Sequence, residues 1–168
     1  MYTALLLARV VIGLLMAAHG AQKLFGWFGG YGLAKTGGFF EQLGFHPGKT
    51  FAAAASLAEL TGGLLVALGL LGPVGPALIV SVMIVAALTV HWSHGLFAAN
   101  NGIEVPLLYV TAVLSFVLMG YGPYSLDAWL DIADGWTAAA TWTVVGAGVI
   151  GGFANLAIRR RPVTTAGA

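Results

Sequence analysis

The sequence contains no cysteine, and only 8% of its residues are charged. The first absence excludes disulfides, thiolate metal sites, covalently attached c-type haem and cysteine redox chemistry within this chain. The second excludes a soluble surface, because an ordinary soluble domain carries about a quarter charged residues. A net charge of +1 leaves no electrostatic case for nucleic acid as a partner. What is abundant is apolar: 59% of the 168 residues are hydrophobic. They come in blocks that stay apolar around the whole helix, unlike the one-sided stripe of a surface helix. The solvent for such a chain is the lipid bilayer, and the length allows one all-α membrane bundle with no second domain.

Residues 2–24, 51–71, 75–91, 105–121 and 136–158 each approach the ~20 residues that cross a hydrocarbon core. Pro73, Gly75 and Pro76 predict a tight turn between the second and third stretches, and Pro106 opens the fourth, where its missing N–H costs nothing. No basic residue precedes Arg9, which itself interrupts what would be the apolar core of a signal peptide, so 2–24 reads as the first membrane helix. The glycine-rich, aromatic residues 26–49 read as an interfacial loop with a short helix around Gly37 to Leu43. A second interfacial stretch, 121–136, holds Tyr124, Trp129 and Trp136 with Asp127, Asp131 and Asp134. Five spans place Lys23, Lys35, Lys49, Arg159, Arg160 and Arg161 on one side, expected to be cytoplasmic, with 159–168 as a cytoplasmic tail and the N-terminus outside. Four spans would divide these charges between the two sides.

An ionised side chain in a membrane helix costs about 3 kcal/mol or more at the bilayer centre, so it needs a partner or a function. Arg9 and Glu59 are two such groups. At ~1.5 Å rise per residue Arg9 lies about 21 Å from Lys23, and Glu59 about 15 Å from Lys49. If both lysines mark one boundary, Arg9 and Glu59 meet, either as a structural ion pair or with Glu59 exchanging protons and Arg9 contacting an anion or a quinone oxygen. Arg9, His19, Gly20 and Lys23 share one helical face, which should point into the bundle.

Three helix ends gather further polar groups on the expected cytoplasmic side: His19, Gln22 and Lys23; His91, Trp92 and His94; Asn100, Asn101 and Glu104. Such a set suits a quinone headgroup, with Glu59, His19 and His91 moving protons and Arg9, Lys23, Gln22, Trp92, Asn101 and Glu104 contacting the ligand. It equally suits polar residues that cap helix ends. His19 with His91 could also clamp a b-type haem, and His91, His94 and Glu104 a zinc or iron ion, although neither spacing is specific and no metal is assigned. Gly148 and Gly152 form a small-xxx-small pair for close packing, within the subunit or in a homo-oligomer.

Arg9, His19-Gly20 with Lys23-Leu24, Glu59 with Gly62-Gly63 and Gly69, His91-Trp92, Asn101 with Glu104, Gly120 with Gly122, and Ser125-Leu126-Asp127 follow one another in an order that resembles the DoxX family of small bacterial membrane proteins. The resemblance runs from about Leu5 to Asp127. It implies a four-helix transmembrane bundle in a bacterial or archaeal cytoplasmic membrane, to which residues 136–158 add a fifth helix. It also implies a polar lining of Arg9, His19, Lys23, Glu59, His91 and Glu104. Relatives are similar to membrane components of redox systems, including a thiosulfate:quinone oxidoreductase subunit, and to membrane partners in oxidative-stress complexes. The expectation is a quinone-associated subunit that is not a stand-alone enzyme, has no covalent cofactor and takes electrons from a soluble or membrane redox partner. A scaffold recruiting soluble proteins through residues 26–49, and a small transporter or lipid-binding bundle, are the alternatives.

Overall fold

The computed structural model describes residues 1–160; the rest of the expected tail, from Arg161 onward, lies outside the described residues. Among these the regular structure is entirely helical. Helix α1 (Tyr2–Phe25) ends where Gly26 turns left-handed at φ 78, a conformation glycine adopts without a Cβ penalty. α2 (Gly32–Gln42) and α3 (Gly48–Leu68) follow, and α3 stops at Gly69, again left-handed at φ 65. α4 (Val74–Ala86) starts after Pro73 and continues through a π turn, Ala87–His91, into a 3-10 turn, Trp92–His94. α5 (Glu104–Met119) carries Pro106 in its first turn, the one-turn α6 spans Leu126–Trp129, and α7 spans Ala138–Ala157.

α1, α3, α7 and α4 with its extension have the length and hydropathy to cross a membrane, whereas α5 is shorter at 16 residues. The protein is a multi-pass all-α membrane bundle. Residues 26–49 hold more helix than expected: α2 begins at Gly32, not near Gly37, and α3 begins at Gly48. The reason is tertiary, since Gly37 lies against the backbone of Lys49, and this contact holds a glycine-rich segment helical against α3.

α1 and α3 run antiparallel in backbone contact. A Cβ at Gly20 would stand 2.5 Å from Ser56 O and Leu60 N, and one at Gly63 would stand 2.5 Å from Gly13 O and Ala17 N. In lipid, where apolar surface alone drives no association, such close approach supplies the packing attraction. Gly63→Ala is therefore expected to destabilise the protein by about 1–3 kcal/mol, seen as a lower unfolding temperature in detergent. An unchanged temperature would mean that the helices do not touch there.

α1, α3, α4 and α5 surround a core of Met16, Val66, Ile79, Val80, Tyr109, Val113 and Phe116. α7 packs outside this four-helix unit, on α4, through the pair singled out from sequence: Gly148 lies against Ala77, and a Cβ at Gly152 would be 2.9 Å from Ser81 O. The small-residue face thus serves a contact within the chain. At its far end Arg159 donates to Leu43 O, and the Arg160 N–H donates to Gly44 O at 2.9 Å.

Candidate ligand cavity beside a buried lysine–glutamate pair

The α1/α3 crossing decides which charges meet. Because Gly20 faces Ser56 and Leu60, Glu59 lies near the level of Gly20, and Lys23 reaches it one turn further along α1. The Lys23 Nζ stands 2.5 Å from Glu59 Oε1, with the glutamate side chain 1% exposed and the lysine 34%. Arg9 is not the partner of Glu59. It lies about ten residues away along α1, a rise of about 15 Å, with Gly69 against its guanidinium. The depth argument fails because Lys23 and Lys49 do not mark one boundary: Lys49 packs against Gly37 of α2, beyond the end of α1.

Arg9 instead fastens the opposite end of the bundle. It is 1% exposed, and its Nη groups donate to Tyr121 O at 2.9 Å and Tyr124 O at 2.5 Å. Its guanidinium also lies 5.4 Å from the Tyr121 ring centroid. In the same loop, Asp127 accepts from the N–H groups of Leu71 and Gly72, each at 2.7 Å, and so ties the segment after α5 to the α3–α4 turn. Burial first, and the charge of Asp127 second, push the Tyr121 phenol above its ordinary pKa, so it stays neutral beside the cation. Arg9 Nε and the Tyr121 hydroxyl make no hydrogen bond within the described residues.

The helical face expected to point inward is split. Arg9 and Gly20 are buried, but His19 is exposed and meets Tyr109 of α5 edge-on at 5.9 Å between ring centroids. Lipid-facing α1 places the imidazole at the bundle surface, where the aromatic ring shields one side.

At the Lys23 end a cavity of about 610 Å³ opens between α2, α3, α4 and α7. Ala54, Ala55 and Ala58 of α3 leave the space, and Phe39, Phe40, Phe45 and Phe51 close around it. Lys23, Lys35, Thr36, Ser81, Thr89, His91 and Asn155 are polar groups in its wall. The π turn contributes Thr89, Val90 and His91; one extra residue per turn re-aims side chains, a device common at functional sites.

Of the expected site residues, Lys23 and His91 therefore border one cavity, with Glu59 held behind Lys23. The others do not join them. Gln22 donates to Phe28 O at 3.1 Å, Trp92 is 65% exposed, and Glu104 accepts from the Ala98 N–H at 2.7 Å. Asn101 offers its main-chain oxygen to His91 Nδ1 at 2.7 Å, and His94 Nδ1 turns to Val90 O. His19 meets Tyr109 and His91 meets the Asn101 main chain, and no group of three metal-ligating side chains, His91, His94 and Glu104 included, occurs among the described residues. Sequence reasoning missed Asn155 and the α2 aromatics; a lone asparagine in an apolar fifth helix was the available signal.

The DoxX family model matches residues 4–92, more than half of the chain. The chain belongs to the DoxX family. The DoxX match covers α1 to the π turn, and so includes Arg9, Lys23, Glu59 and His91 in their observed positions. Asn101, Glu104, Asp127 and all of α7 lie after it, so the DoxX segment supplies the charged pair and most of the cavity, and a later helix supplies the last wall. No curated protein and no solved structure matches the chain.

Proposed function

We propose that this DoxX protein binds a quinone-type ring amphiphile, as the membrane subunit of a redox system whose electrons come from a partner protein. The observation that carries this reading is the aromatic cavity of about 610 Å³ bordered by Lys23 and His91, with the buried Glu59 paired to that lysine. An apolar pocket with a few convergent polar groups is the usual form of a small-molecule site. Reduction of a quinone takes up two electrons and two protons. Lys23 is placed to polarise a ring oxygen, and His91 and Glu59 to exchange protons. Arg9 and Glu104 are committed to main-chain groups elsewhere and take no part.

The Lys23 end also gathers Lys35, Lys49, Arg159 and Arg160, while Asp127, Asp131 and Asp134 follow α5 at the Arg9 end. By the positive-inside rule the Lys23 end faces the cytoplasm of a bacterial or archaeal cell, with the N-terminus outside. Titration of the purified protein with a short-tailed benzoquinone should give saturable calorimetric binding. Ala55→Phe, which fills the cavity without touching a charge, should weaken it about tenfold or more. Absence of saturable binding to the wild type removes the reading.

An exposed aromatic rim at the same end supports a second one. Trp27, Phe28 and Tyr31 are 59%, 70% and 77% exposed, a surface suited to a soluble redox partner or to the membrane interface. Loss of a co-purifying partner on replacing Trp27 and Phe28 by serine, with benzoquinone binding retained, would assign the rim to recruitment.

A further inference from the structure

A hydroxyl in a membrane helix can satisfy itself on the carbonyl one turn back. Ser56, Thr61, Thr89, Ser115 and Thr143 do so at 2.6 to 2.8 Å. Ser81, midway along α4, has no such bond among the described residues. Its Oγ faces α7, where a Cβ at Gly151 would lie 3.5 Å from it. Asn155 stands one turn further along α7, and its Nδ2 donates to Gly151 O at 2.8 Å. That carbonyl only accepts, so the contact orients the amide and leaves Oδ1 and the second N–H unengaged. Ser81 and Asn155 both line the cavity.

The α3/α4 contact sets the depth of Ser81. A Cβ at Gly62 would lie 3.2 Å from both Leu78 and Ile79. Moving about three residues back along α3 and forward along the antiparallel α4 brings Glu59 level with Ser81. Lys23 Nζ, 2.5 Å from Glu59 Oε1, is therefore at the depth of Ser81 but belongs to the α1 wall. The cavity has an ammonium on one side and a hydroxyl with an amide on the other, and Ala58 of α3 lines the same space. Polar groups without partners are costly at this depth, so an occupant that answers both walls gains over one that answers Lys23 alone.

We infer that the ring ligand is held at two points, one ring oxygen on Lys23 and the opposed one on Ser81 Oγ and the Asn155 amide. The inference rests on the quinone-type reading above and names the class within it: rings that carry oxygen at two opposed positions. Ser81 and Asn155 each offer a donor and an acceptor, so they hold the second oxygen as a carbonyl or as a hydroxyl. They fix where the ring sits, not its oxidation state. One comes from the DoxX segment and the other from the added helix, which gives α7 a part in the site beyond closing its wall.

The test is titration of the purified protein with a short-tailed benzoquinone, read by calorimetry and by the infrared C=O bands of the bound ring. A hydrogen-bonded carbonyl absorbs at lower frequency than a free one, so the wild type should show both bands lowered. Ser81→Ala should raise one band and weaken binding about fivefold; adding Asn155→Leu should return that band to its free position and weaken binding about thirtyfold. The unfolding temperature of unliganded Ser81→Ala should not fall, because the hydroxyl has no protein partner to lose. Absence of saturable binding by the wild type overturns the quinone-type reading and this inference together. Saturable binding with only one band lowered, or wild-type bands and affinity in the double variant, overturns the two-point contact alone. A lower unfolding temperature of Ser81→Ala would make the hydroxyl a packing bond and overturn its assignment to the ligand.

Discussion

Lys23→Met is expected to lower stability by about 3 kcal/mol and to abolish binding of the ring ligand, whereas adding Glu59→Leu restores most of the stability and none of the binding. Glu59 is 1% exposed, and its Oε2 has no hydrogen-bond partner within the described residues. Lys23 Nζ at 2.5 Å is then the group that makes a carboxylate at this depth tolerable. Removing the ammonium leaves a charge without compensation in an apolar interior, the costly case. Removing both members leaves methionine against leucine, which an apolar helix contact accepts. A structural pair and a functional one differ only in the double variant, where packing recovers and chemistry does not. Thermal unfolding in detergent, with benzoquinone titration on the same samples, measures both. A double variant that binds like wild type would reduce the pair to a packing device.

Arg9→Met should cost about 3–5 kcal/mol, because it removes two charge-assisted hydrogen bonds and strands the Tyr121 and Tyr124 carbonyls. Benzoquinone affinity of the folded fraction should stay within about twofold of wild type. The two measurements separate the ends of the bundle: Arg9 holds the loop after α5, and the cavity lies at the Lys23 end. Loss of binding in a well-folded Arg9→Met protein would return the arginine to the ligand site.

Arg9 and Glu59 show where sequence reading succeeded and where it stopped. Both were recognisable as groups that an apolar helix cannot leave alone, since the cost of a charge in hydrocarbon depends only on the residue and its flanks. Their partners were not recognisable. Pairing Arg9 with Glu59 assumed that the helices share a boundary, but the glycine contacts at Gly13, Gly20 and Gly63 set a different register. His19 was placed inside by its helical face. A wheel gives angle, not which arc meets a neighbour, and α5 leaves that arc exposed. Asn101 and Glu104 were read as ligand contacts, whereas they organise the loop between α4 and α5 through a main-chain oxygen and a carboxylate.

The sequence by itself determined that the chain lives in lipid, that it is all helical and where its five apolar segments run. Those properties follow from local composition and length, which hydrocarbon thickness reads directly. Tertiary structure alone decided which charge answers which. It also decided that α7 packs on α4, and that alanines on α3, aromatics on α2 and a π turn in α4 enclose one cavity. The physical reason is that these outcomes depend on how closely two backbones approach. In lipid that distance is set by a few glycines acting across helices far apart in the chain.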